Sequence, residues 1–69
     1  MDKKRQLWIW AQKQKQLIDE AKIPKDRDYL MLMWLGYLNG MRLTNAITRE
    51  EYKTLYEEIR NYITGVEEA

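Results

Sequence analysis

Paired acids and clustered tyrosines are the residues in this chain whose types could do chemistry. Asp26/Asp28, Glu50/Glu51 and Glu57/Glu58 could in principle serve as acid–base pairs or hold a cation. Neighbours on a helix point about 100° apart, so Glu50/Glu51 and Glu57/Glu58 do not converge on one atom. Glu50 and Glu51 instead suit the positive end of a helix. The calcium-loop spacing and its closing Glu are missing, as are the glycine patterns that cradle phosphates. Tyr52, Tyr56 and Tyr62 could supply a phenolic nucleophile only with Arg and His gathered round them. Just four basic residues follow Tyr29, and the chain has no His. Cys and Ser are absent too. Thiolate chemistry, thiolate zinc sites, the imidazole base and the serine triad are therefore excluded. The expectation is a non-enzymatic protein with no catalytic residue, cofactor or metal.

One further group carries a different chemistry. Trp8 and Ile9 sit among Lys3, Lys4, Arg5, Lys13 and Lys15. Residues 1–28 hold 8 basic and 5 acidic groups, and residues 29–69 hold 4 and 6. The chain is mildly dipolar, with a net charge of +1. An aromatic flanked by cations suits a protein contact. It also suits phosphate binding with base stacking, and a membrane surface. Gln12, Gln14, Gln16, Asp19 and Glu20 interrupt the apolar side and argue against the membrane. A net charge of +3 over residues 1–28 is modest for nucleic acid.

The elements that must position these groups are three helices within one domain of 69 residues. The first spans about 2–22, with Asp2 as its cap. On a helical projection Leu7, Trp10, Ala11, Gln14, Leu17, Ile18 and Ala21 form a stripe about 120° wide. Trp8 falls about 100° from the middle of that stripe, and Ile9 about 130° the other way. Pro24 forces the stop, because the residue before proline leaves the α region.

The second helix spans about 26–44, capped by Asp26 or Asp28. Its run from Tyr29 to Leu43 is apolar on every side, which predicts a buried helix. Gly36 and Gly40 share a face and predict a close helix approach. Asn45 is expected as the left-handed residue that ends it, with an earlier stop at Gly40 as the alternative. The third helix spans about 48–64. Ile47-Thr48-Arg49-Glu50-Glu51-Tyr52 reads as a capping box with a hydrophobic staple. Tyr52, Leu55, Tyr56, Ile59, Tyr62, Ile63 and Val66 then form its apolar stripe. Gly65 and residues 65–69 read as a frayed acidic tail.

The stretch Leu35–Ile63 resembles the short helical hairpins called SHOCT, and small helical proteins of bacteriophages and mobile elements. The resemblance lies in an apolar helix, a left-handed turn residue and Ile-Thr-x-Glu-Glu-Tyr opening an amphipathic helix. It covers under half the chain, and Asn45 stands where such hairpins often carry glycine. It implies an oligomerisation or adaptor role.

The combined expectation is an all-α small three-helix bundle with a C-terminal antiparallel hairpin, completed by self-association through the apolar excess of helix two. The partner surface is expected at Lys4, Arg5, Trp8, Ile9, Lys13, Lys15, Met31 and Met33, with Asn45, Thr48 and Glu51 as structural caps. The expected role is to bind and modulate a host macromolecule, for example as a phage-encoded inhibitor. The alternative is a nucleic-acid-associated protein using the basic face of the first helix. The N-terminus does not read as a secretory leader, and no apolar run spans a bilayer. A cytoplasmic location without membrane attachment is expected.

Overall fold

The computed structural model describes residues 2–69 as three helices: α1 (Lys3–Glu20), α2 (Pro24–Leu43) and α3 (Arg49–Glu68). All three contact one another. Gln14 Nε2 donates to the Leu30 carbonyl at 2.9 Å, and Trp10 meets Tyr37 edge-on, so α1 and α2 run antiparallel. Trp34 Nε1 donates to the Leu55 carbonyl at 3.0 Å and Arg27 reaches Glu67, so α2 and α3 are antiparallel too. The first and third helices therefore run side by side in the same direction.

Local chemistry sets most of the ends. The Asp2 carboxylate accepts from the Lys4 N–H at 3.2 Å. The end of α2 follows the double-bond pattern of a left-handed C-terminal motif. The Ala46 N–H donates to Met41 O at 2.8 Å, the Asn45 N–H to Arg42 O at 3.0 Å, and Asn45 has φ 62°. Asn tolerates this conformation better than most side chains. The capping box forms in full: the Thr48 N–H donates to Glu51 Oε1 at 2.8 Å, and the Glu51 N–H to Thr48 Oγ1 at 3.1 Å.

Three boundaries differ from the sequence expectation. Helix α1 stops at Glu20 rather than near 22, because the extended region reaches back to Ala21. Helix α2 begins at Pro24 rather than 26, and neither Asp26 nor Asp28 caps it. Proline in the first turn supplies the helical φ and lacks only an N–H that has no helical partner there. Helix α3 continues through Gly65 to Glu68 instead of fraying. Val66 packs against the core and Glu67 Oε2 accepts from Arg27 Nε at 3.4 Å, which offsets the glycine.

The core lies where the three helices meet. It comprises Leu7, Ala11 and Ile18 of α1, Trp34 and Leu38 of α2, Ile47 of the turn, and Leu55, Ile59 and Ile63 of α3. The stripe expected on α3 is the one that packs inward. On α1, Leu17 leaves the stripe and is exposed.

The largest correction concerns α2, which is not a buried helix. Only Trp34 and Leu38 are buried on it, while Tyr29, Leu32, Met33, Tyr37 and Leu43 are exposed. Both neighbours pack on the same side, and two helices cannot cover a third all round. A Cβ built on Gly36 or Gly40 meets nothing within 4 Å, so no helix of this chain approaches closely there. The chain exposes 5186 Å², against about 4,700 Å² expected for its mass.

Candidate interaction site

The facing sides of α1 and α3 carry a ladder of polar contacts. Lys3 Nζ lies 2.8 Å from Glu51 Oε1. One step along, Lys15 Nζ lies 2.8 Å from Glu58 Oε2 and 5.5 Å from the Tyr62 ring centre. The Tyr62 hydroxyl donates to the Asp19 carboxylate, at 2.7 and 2.8 Å from its two oxygens. Between these contacts lies a groove of about 300 Å³. Leu7 and Leu55 form its floor, Trp8 one wall, and Lys4, Glu50, Glu51, Thr54 and Glu58 its rim. The floor residues are buried, but Trp8 is 62% exposed. A large aromatic ring thus stands in solvent over an apolar floor. The Lys3–Glu51 and Lys15–Glu58 ion pairs border it.

Electrostatics here follow from the pairing. The Lys3 ammonium and the Thr48 backbone N–H hold the Glu51 carboxyl below its ordinary value of 4.5. The Asp19 carboxylate pushes the Tyr62 hydroxyl above 10.0. A depressed carboxyl contributes stability that is present above its unfolded pKa and lost as pH falls through the folded one. Glu51→Gln is therefore expected to flatten the fall in melting temperature on acidification below pH ~4.5, read by circular dichroism. An unchanged acid limb in the variant would show that Glu51 does not contribute.

The structure separates the residues expected at the partner surface. Trp8 and Lys4 share the groove, and Lys15 borders it through Glu58. Arg5 and Lys13 are exposed elsewhere on α1, and Ile9 is half-buried rather than a second exposed anchor. Met31 is half-buried against the core. Met33 is exposed, but on the outer face of α2. Asn45, Thr48 and Glu51 take their capping places.

The expected basic strip on α1 is broken, because Lys3 and Lys15 are neutralised by α3 carboxylates. A different basic site was not anticipated. Arg42, Arg49 and Lys53 gather with Tyr52, Tyr56 and one carboxylate, Glu50, around a concavity of about 430 Å³ at the α2–α3 corner. The Arg42 guanidinium lies 5.4 Å from the Tyr52 ring centre, and the two tyrosine rings are stacked. The sequence signal was present: three of the four basic residues after Tyr29 fall within residues 42–53. A regional charge total hides such a cluster.

Glu50, Glu51 and Glu58 share the groove rim but differ in pairing. Glu51 and Glu58 turn to lysines of α1, whereas Glu50 and Glu57 are exposed. Among the described residues, no group of three or more acidic side chains could hold a metal ion. No described helix is long and apolar enough to cross a membrane. No family model, curated protein or solved structure matches this chain.

Proposed function

We propose that this chain is a non-enzymatic interaction module that engages a protein partner through the Trp8 groove. The observation that carries this reading is a tryptophan 62% exposed beside an apolar floor. Such rings are strong anchors in protein interfaces, and the rim carboxylates Glu51 and Glu58 are already paired with lysines of α1. The fitting partner presents a large apolar side chain between Trp8 and Leu55, with a basic or amide group near Glu50. Binding of this kind modulates a partner by occupying its surface. The finer role, inhibition of a host macromolecule by a phage or mobile-element protein, rests on small size and on the SHOCT-like hairpin pattern.

A second reading, nucleic-acid association, is favoured by the Arg42–Arg49–Lys53 corner with its two tyrosines rather than by α1. Stacked aromatic rings beside cations suit single-stranded nucleic acid.

Capture from a lysate of the encoding organism, with wild type and Trp8→Glu compared, tests the first reading. The expected outcome is a protein retained by wild type and lost from the variant, with the two forms within ~0.5 kcal/mol of one another in stability. Equal retention by both discards the groove. Salt-sensitive retention on a single-stranded DNA column, with no protein captured, selects the second reading.

A further inference from the structure

The outer face of α2 is the largest feature that the Trp8 groove does not use. Tyr29, Leu32, Gly36, Asn39 and Leu43 recur at steps of three and four residues, the seam spacing of packed helices. Met33 and Gly40 widen the seam. Tyr29 is 64% exposed, Leu32 67%, Met33 50% and Leu43 84%.

Three pairs are arranged about a centre near residue 36. Met33 is large and Gly40 small, they lie on one flank of the face, and their midpoint is within one residue of Gly36. Tyr29 and Leu43 have residue 36 as their midpoint. Asp28 and Arg42 lie on the same flank with their midpoint at residue 35. They are about 21 Å apart along the helix, at 1.5 Å per residue, so they cannot meet within one copy. Neither joins an ion pair among the described residues.

A two-fold axis perpendicular to a helix reverses its direction and brings like flanks together. From these reversed pairs we infer that the outer face of α2 seats the same face of a second copy, antiparallel about an axis near Gly36. Met33 of each copy then fills the space that Gly40 of the other leaves open. Tyr29 covers Leu43, and Asp28 of each copy reaches Arg42 of the other. The Arg42 ring-stacked guanidinium keeps N–H edges for a carboxylate. An unrelated partner has no need of this internal symmetry. The area also suits a pair. Taking ~200 Å² for a large side chain, the four exposed residues offer at most about 500 Å² per copy. The total of about 1,000 Å² is at the lower bound of a specific interface. It equals, per copy, the surface the monomer exposes beyond expectation for its mass. The two Trp8 grooves remain open, so the dimer presents two of them.

Sedimentation equilibrium on the full chain tests the inference. A monomer–dimer equilibrium in the micromolar range is expected. Leu32→Glu should weaken it at least tenfold. Gly36→Leu should do the same while keeping or raising helicity, since its site is open in the monomer, and it serves if Leu32→Glu fails to fold. Asp28→Arg alone should weaken association, and adding Arg42→Asp should restore most of it. Trp8→Glu should leave the dimer unchanged, so this inference and the groove reading fail separately. A strict monomer at about 1 mM, or a dimer that ignores the Leu32 and Gly36 substitutions, overturns the inference. So does a dimer lost on Trp8→Glu, or charge reversal without restoration.

Discussion

Trp34→Ala is expected to remove most of the stability of this chain. Trp34 is 3% exposed. Its indole N–H donates to the Leu55 carbonyl at 3.0 Å, which ties α2 to α3. Its ring stacks on Tyr37 at 6.2 Å, and Tyr37 meets Trp10 of α1 at 5.3 Å. Trp34 thus ties α2 to α3 directly and reaches α1 through Tyr37. Truncating a buried tryptophan costs about 3–5 kcal/mol, and a small domain has only about 5 kcal/mol at the low end of the usual range. The thermal midpoint should fall by at least ~15 °C, or the cooperative transition should vanish. Trp34→Phe keeps most of the ring and loses the donor, so about 1–2 kcal/mol is expected. Thermal melts followed by circular dichroism separate the two. Equal, small effects would show that the indole is not the central contact.

The second large effect is a contrast along a single helix. Leu38 is fully buried, whereas Leu32, six residues earlier, is 67% exposed. Leu38→Ala should cost about 2–4 kcal/mol, because it removes burial and leaves a cavity in the core. Leu32→Ala should change monomer stability by no more than ~0.5 kcal/mol. Both residues are leucine within the same apolar run, so propensity cannot tell them apart. Urea titration at low protein concentration, where any dimer is dissociated, measures each. Comparable losses for the two would mean that the outer face of α2 is covered within the monomer.

This contrast marks where sequence reasoning stopped. The stripe on α3 was legible because Tyr52, Leu55, Ile59 and Ile63 fall on one side, with charges opposite. A pattern with one apolar side carries its own direction. The run from Tyr29 to Leu43 has no polar side, so its periodicity gave existence and length but no orientation. The site was legible in part for the same reason. Trp8 lies off a clear stripe, and its exposure follows from that stripe. Its groove did not, because Leu55, Glu50 and Glu58 arrive from a helix more than forty residues away. The pairing of the α1 lysines was hidden on similar grounds. Lys3 and Lys15 look free until α3 brings Glu51 and Glu58 to 2.8 Å.

The residues alone determined what acts over four or five positions. Asp2 and Thr48 start helices, Pro24 separates two of them, and Asn45 turns left-handed at φ 62°, since capping bonds and backbone sterics need only near neighbours. Composition also determined which catalytic groups exist at all. Tertiary structure decided which side of α2 faces inward, which lysines stay unpaired, and that α3 runs past Gly65 to meet Arg27. Each of these depends on a surface or charge supplied by a distant segment. Burial and ion pairing are properties of two partners, and one stretch of sequence holds only one of them.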